Sequence, residues 1–396
     1  MKEKALSNLR IIDLTHSVAG PYCTKLMVGF GAEVIKIERP ETGDGMRRLG
    51  PFYKNHEGLE TSIPFLWLNT GKKSITLNMK TVKGTEILKQ LIKNADVLIE
   101  NFSPGVMHSL GLSYETLRDF NPRLVMTSIS NFGQTGPYRD YKAEEIEMQA
   151  LSGIMYMTGD PEKEPLASGP ALCQYTAGKH AYIATLMALF QRGQTGQGQY
   201  VDISIQESGF EHIEITLSYN LQKGKQAKRG EHLFVPWDMY KCQDGYATII
   251  AMPSRHWHRA SEIFEDTMLF DKKYLHVLDR IKYRSEYEEL LKSRVKTQKK
   301  KELFHAGQTR QLAFGYVADL DDVIESPQHK AREFFTEIDH PSVGKHKYCD
   351  APFQMSRTPW QSYRAPLLGE HNQEIYTGVF GYSQQEIKQL SETGII

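Results

Sequence analysis

The sequence has no excess of charge: Lys plus Arg and Asp plus Glu each number 48, so the formal net charge is zero. No global basic field draws the chain to nucleic acid or to an anionic membrane, and neither partner is expected. Cysteine is scarce. Cys23, Cys173, Cys242 and Cys349 are far apart and form no CxxC pair. That spacing does not fit a zinc site, so no metal is expected, and free thiols in a reducing compartment are the plain reading. No stretch approaches the ~20 consecutive apolar residues that a membrane span needs. Met1 to Arg10 has no apolar run of signal-peptide type, so a cytoplasmic chain is expected. GxGxxG, the Walker loop, GxSxG and HExxH are all missing, which removes the common phosphate-loop, hydrolase and zinc-protease readings.

What is present is an ordinary soluble composition, 40% hydrophobic and 24% charged over 396 residues, long enough for two domains with substantial cores. The first third alternates strand and helix patterns. Arg10 to Leu14 reads as a buried strand. Pro21 lies near a helix start, Gly31 can close that helix, and Ala32 to Glu38 is the next strand. Strand, helix and strand so close together predict a parallel βαβ unit. Ser74 to Asn78, Asp96 to Glu100 and Leu124 to Ile129 continue the strands. Thr81 and Ser113 can cap the intervening helices, and Ile87, Leu88, Leu91 and Ile92 form one apolar helix face. This alternation predicts a doubly wound α/β domain.

A helical hairpin is expected next: Met148 to Met157 is its apolar first arm, broken at Gly159-Asp160-Pro161. A long helix is expected from about Tyr175 to Gln191, ended by Gly193, Gly196 and Gly198, with Tyr200 to Ile205 as a returning strand. From Gln222 the character changes. The basic segment KGKQAKRG leads into a short strand, Tyr246 to Ala251, and then into charged amphipathic helices. The basic run Lys299 to Lys301 is read as a solvated helix face. Phe314 to Val323 and the tail return to the first style, and Ser383 to Glu386 matches a capping box. The division expected is residues 1–221 and 321–396 in a large domain, with 222–320 as a smaller α+β insertion.

Several segments together resemble the family III CoA-transferases, the CaiB/BaiF family. They are DLTHSVAGPYCTKLMVGFGAEVIKIER (Asp13 to Arg39), NTGKKSITLNMK (Asn69 to Lys80), DVLIENFSPGVMHSLG (Asp96 to Gly111), TGQGQYVDIS (Thr195 to Ser204) and PLLGE (Pro366 to Glu370). They span nearly the whole chain in order. The resemblance implies a large Rossmann-like domain built from both chain ends, a smaller inserted domain, and two chains threaded into an interlocked dimer. It implies a CoA thioester as substrate, with no other cofactor. Carried over position by position, it implies CoA contacts at His16, Val18, Ala19, Arg39, Lys72, Lys73, Asn101, Phe102, Met107 and Lys142. Backbone amides at the helix start after Ala19 suit an anion, and an Arg at position 39 can both stack on a ring and pair with phosphate.

The chain departs from the family pattern where the chemistry lies. The family's nucleophile is an aspartate that attacks the thioester to form a mixed anhydride. In GPALCQYTAG (Gly169 to Gly178) that position holds Gln174, and no acid lies between Glu164 and Asp202. A carboxamide hydrogen-bonds but cannot form the anhydride. Upstream, Glu144 stands where relatives carry a ring, followed by Glu145 at the acid position. The glycine-rich loop of formyl-CoA transferases is not visible at Ala251 to His258 (AMPSRHWH).

Three readings follow. The chain is a silent subunit partnered by a related chain that carries the Asp, as in the heteromeric succinyl-CoA:benzylsuccinate type of aromatic degradation. Alternatively it is a self-sufficient transferase or racemase using Cys173, Glu144 or Glu145. Or it is a non-enzymatic acyl-CoA-binding regulator. Met155, Tyr156 and Met157 are candidates for a hydrophobic acyl site, with core packing as the plainer reading.

Overall fold

The structure, a computed structural model, describes residues 4–224, 229, 235–251, 253–265, 268–269 and 271–396. The chain divides into two compact units, Met1–Arg229 with Glu333–Ile396, and Gly230–Arg332. These limits lie further along the chain than the expected 221 and 320. Most of the basic segment KGKQAKRG lies outside the described residues.

The larger unit is organised by six parallel strands: β1 (Arg10–Asp13), β2 (Glu33–Glu38), β3 (Lys73–Thr76), β4 (Val97–Glu100), β5 (Val125–Ser130) and β6 (Tyr200–Ser204). Their order is β3-β2-β1-β4-β5-β6, and every neighbouring pair is parallel. The order reverses direction between β1 and β4, which opens a crevice at the carboxyl ends of those strands. Side-chain alternation divides the core. Ile12, Ile35, Ile75 and Leu98 pack on one face against Ile87, Leu88, Leu91 and Ile92. Ile11, Val34, Val97 and Val125 pack on the other, against Met27, Ala177 and Ala181. Strands buried on both faces read as apolar runs rather than alternating ones.

Both chain ends build this unit. Ile375, Tyr376 and Ile396 share the core with Ile12 and Ile35. The Tyr376 hydroxyl donates to Thr76 O (2.7 Å), and Asn78 N–H donates to Ile395 O (2.7 Å). The two remaining strands of the described chain in this unit, Phe335–His340 and Gly344–Cys349, form an antiparallel pair. The caps at Thr81, Ser113 and Ser383 are found as expected, each accepting a backbone N–H of the first turn.

Three expectations need correction. The long helix is Leu172–Thr195, so Gly193 lies inside it and Gly196 (φ 75°) closes it. A mid-helix glycine costs only about 1 kcal/mol, which packing overrides. At Gly178 the long helix lies close to the helix Ala19–Gly29, since an added Cβ there would be 2.6 Å from the Ala19 carbonyl oxygen. Second, Met148 to Met157 is not one helix. Gly153 (φ 86°) separates Glu145–Leu151 from Ile154–Met157. Third, Phe314 does not return to the first style. Ala313–Tyr316 pairs antiparallel with Gly245–Ile250, which pairs antiparallel with Trp237–Cys242, in the sheet of the smaller unit. Its core includes Trp257, Tyr287, Leu291 and Phe314, with the Trp257 and Tyr287 rings edge to face at 4.9 Å. In the Ala251 to His258 stretch, a helix (Ser254–Phe264) starts after Pro253, and Met252 lies outside the described residues.

Candidate active site

A cleft of about 1100 Å³ runs along the carboxyl edge of the parallel sheet. It is lined by the segments that leave β1 (His16, Ser17), β2 (Arg39 to Thr42), β3 (Leu77 to Lys80), β4 (Asn101 to Pro104) and β5 (Ile129 to Asn131). Those loops all emerge on one side because the strands are parallel, so a ligand there touches residues remote in sequence. The loops after β1 and β4 are tied reciprocally at the crevice. His16 N–H donates to Asn101 Oδ1 (2.9 Å), and Asn101 Nδ2 donates to His16 O (2.7 Å). The His16 and Phe102 rings lie 5.8 Å apart. Ser17 holds a left-handed backbone (φ 65°) rarely adopted by a non-glycine residue. Its hydroxyl donates to Gln174 Oε1 at 3.4 Å.

Among the residues expected from sequence, His16, Arg39, Asn101, Phe102, Lys142, Glu144, Glu145 and Gln174 line this cleft. The others lie elsewhere. Val18 and Ala19 are buried behind the turn that presents His16 and Ser17. Met107 is a core residue against Leu112 and Leu117. Lys73 pairs with Glu33 (2.8 Å) and Glu374 (2.7 Å). Lys72 has no exposed side-chain surface, and all three of its donors are used, on Asp13 Oδ2 (3.0 Å), Pro21 O (3.0 Å) and Asn69 Oδ1 (2.8 Å). Burial pulls its pKa down to about 8 against the opposing pull of Asp13. Burial would raise the Asp13 carboxyl, but Lys72 and Lys36 win and hold it well below the usual range. Met155, Tyr156 and Met157 form the short helix Ile154–Met157 and do not line the cleft.

Sequence reasoning missed Lys80, Arg139 and Asn131, which also face the cleft. Lys80 and Asn131 each lie two residues past a predicted strand, which was the available signal; Arg139, ten residues past one, carried none. Glu100, which ends β4, is 3% exposed, and burial pushes its carboxyl up to about 7. It accepts the Phe102 N–H at 2.8 Å, directly behind the cleft wall.

The head of the long helix shows how the candidate nucleophiles are engaged. Ala171 precedes it in a left-handed conformation (φ 61°) and offers no side-chain cap. Glu145 supplies the cap from another element: its Oε1 accepts from Cys173 N (2.8 Å) and Gln149 Nε2 (2.8 Å), and its Oε2 accepts from Gln174 N (3.2 Å). A carboxylate at a helix amino end satisfies orphan N–H groups and meets the positive end of the dipole. Glu144 caps the helix Glu145–Leu151 through a reciprocal box with Glu147. The Cys173 side chain is fully buried, and burial with the nearby Glu145 pushes its thiol up to about 11. At neutral pH the thiolate fraction is then negligible. Cys173→Ala is therefore expected to leave acyl-CoA binding and any turnover of the purified protein within about threefold of wild type. A loss beyond tenfold in a well-folded variant would restore the thiol as a nucleophile. Among the described residues, no three His, Cys, Asp or Glu side chains gather as metal ligands would, and no helix is long and apolar enough to cross a membrane.

The profile of CoA-transferase family III matches residues 6–372. The chain belongs to that family. Its family III relatives include formyl-CoA:oxalate CoA-transferase of Streptomyces avermitilis, 33% identical over 99% of this chain and 100% of that one. Subunit BbsE of succinyl-CoA:(R)-benzylsuccinate CoA-transferase from Thauera aromatica is 31% identical over 98% of both chains. Human succinyl-CoA:glutarate CoA-transferase is 30% identical over 99% of this chain and 90% of that one. A CAIB/BAIF family protein from Brucella suis superposes with a TM-score of 0.85 at 30% identity, covering 96% of this chain and 100% of that one. The family is one of enzymes acting on CoA thioesters, and the overall fold of this chain is shared with the Brucella suis protein.

Proposed function

We propose that the cleft binds a CoA thioester and that this chain is the subunit without a nucleophile in a heteromeric CoA-transferase, moving CoA between an acyl-CoA and a carboxylic acid. The observation that carries the reading is the head of the long helix. The side chain turned to the cleft there is the Gln174 carboxamide, and the neighbouring candidates are occupied: Glu145 by helix amides, Cys173 by burial, Glu144 by a capping box. A related chain with an aspartate at the equivalent position would supply the attacking carboxylate. The two chains would pair in the interlocked manner expected from the family resemblance. Within this chain, Arg39, Lys80, Arg139 and Lys142 supply cations for the phosphates of CoA. His16, Asn101 and Phe102 shape the crevice for the rest of the thioester.

Native mass spectrometry of the protein from its own cells, with a CoA-exchange assay on the same fractions, tests this. The expected result is an unlike partner of similar mass and exchange only in the mixed complex. A pure homodimer that exchanges CoA unaided would overturn the reading. Turnover would then have to be sought in the carboxylates of the cleft.

A further inference from the structure

Directly behind the cleft wall lies an acid that the proposed chemistry does not use. Glu100 ends β4 and is buried. Alternation along the strand puts it on the face of Leu98, whose core includes Met107, Leu112 and Met126. Its cross-strand neighbour on β5 is Ser128, and the neighbour of Ser128 on β6 is Asp202. Glu100 Oε2 accepts the Phe102 N–H (2.8 Å), which closes a tight turn over Asn101. That turn carries the two Asn101 bonds to the His16 backbone (2.9 and 2.7 Å) and the Phe102 ring, 5.8 Å from that of His16. One buried carboxyl therefore sets the residues by which the loops after β1 and β4 meet at the cleft.

The surroundings favour the neutral acid. Burial raises its pKa to about 7 against the pull of the Ser128 hydroxyl and the Phe102 amide, and Asp202 adds to the rise. The ionisable groups on the elements around it are Asp202 and Tyr200 of β6, Tyr114, Glu115 and Arg118 of the helix Tyr114–Phe120, and His108 of the helix Val106–Ser109. Asp202 is exposed, and both its oxygens accept the Gln134 N–H (3.1 and 3.0 Å). Lys142 reaches the loop only at Ser103 Oγ (3.1 Å), on the cleft side. Among the described residues, Glu100 has no ion-pair partner. Ionisation would leave a charge that water must stabilise. Strands and core close the other sides, so the way to water is through the loop Asn101 to Pro104.

We propose that Glu100 is a positioning residue for the cleft. Its neutral carboxyl holds the Asn101–Phe102 turn, and through it His16, in the arrangement that binds CoA, so that CoA binding takes up a proton at Glu100. This inference rests on the proposed CoA site. Because CoA selects the neutral form, binding raises the proton affinity of Glu100, and by reciprocity the affinity for CoA falls as pH rises through about 7.

Titration calorimetry with free CoA and with 3′-dephospho-CoA, in buffers of differing ionisation heat, counts the protons taken up. The dephospho ligand has no phosphate monoester that titrates near neutrality, and burial lowers the pKa of His16 below its ordinary value. The full-length protein is used in the assembly in which it purifies. Wild type is expected to take up about half a proton per site at about pH 7.5, as a rise of about one unit in the pKa of Glu100 on binding requires. The same rise makes binding about fivefold weaker at about pH 8 than at about pH 6. Glu100→Gln keeps an acceptor for the Phe102 amide and cannot ionise. Its proton uptake should vanish, and its affinity for the dephospho ligand should stay within about twofold over that range. A loss of packing alone would weaken binding without moving protons. Equal uptake by wild type and Glu100→Gln would overturn the inference, and so would wild-type uptake near zero, which needs no variant. Binding without proton uptake sinks this inference alone. If neither ligand binds at any pH, the reading of the cleft itself fails, and this inference fails with it.

Discussion

On the proposed silent-subunit reading, Gln174→Asp should let this chain exchange CoA unaided between an acyl-CoA and its free acid. Gln174 is in the first turn of Leu172–Thr195 and lines the cleft. An aspartate there places a carboxylate at the amino end of a helix, where the dipole favours the ionised form. Glu145, which reaches this helix head from the helix Glu145–Leu151, works against this, because a like charge raises the pKa of its neighbour. With both effects present, part of the variant is ionised at neutral pH. Its carboxylate oxygen then forms a C–O bond to the thioester carbonyl, the C–S bond breaks, and CoA leaves as the thiolate.

The expected gain is at least about a hundredfold over wild-type background, a small part of the ~10⁶ that removing a nucleophile can cost. Exchange of labelled CoA measures it, and a hydroxylamine-trapped adduct at position 174 would identify the acylated residue. Gln174→Glu puts the carboxylate one methylene further out and should gain less. If wild type already matches the Asp variant, the carboxamide is no handicap and the silent-subunit reading falls.

Arg47→Ala should be the most damaging single substitution to the larger unit. The guanidinium has no exposed surface, and it donates to both oxygens of Glu38 (2.7 and 3.0 Å), to Glu60 (2.7 Å) and to Pro366 O (3.1 Å). It also lies 3.7 Å over the Phe65 ring. One side chain therefore ties β2 to the carboxyl-terminal segment. Burial would raise the Glu38 carboxyl, but Arg47 holds it below its usual range. Truncating Arg47 leaves Glu38 as an unpaired buried charge, a loss of about 3–5 kcal/mol. For a unit of this size that corresponds to a fall of roughly 10 °C in the thermal midpoint. Arg47→Lys keeps the charge but loses the two-pronged contact, and should fall between the two. A midpoint within about 2 °C of wild type for the Ala variant would show that the network contributes little to stability. Arg39, which lines the cleft, directly follows Glu38, so acyl-CoA affinity should fall with stability.

The order of elements was legible in the sequence because it is written in local signals. Apolar runs marked β1, β2, β4 and β5, a period-3.6 face marked the helix Val82–Lys93, and Thr81, Ser113 and Ser383 announced their caps. The family resemblance added the place of Gln174 and five of the side chains that line the cleft. Local signals failed where propensity was weak against packing. Gly193 was read as a helix end and is helical, while Gly153 breaks a stretch that read as continuous.

Only the tertiary structure decided which polar residues serve the site and which serve the core. Lys72 meets Asp13 across 59 residues of sequence, and Glu145 caps a helix amide 28 residues away. No periodicity predicts such partners, because they are chosen by how the strands and helices stack and not by neighbours along the chain. A lysine is a phosphate ligand or a buried counter-ion according to whether a carboxylate reaches it first. In this fold the parallel order of the strands sent Lys72 into the core and gathered His16, Arg39, Asn101 and Gln174 at one edge of the sheet.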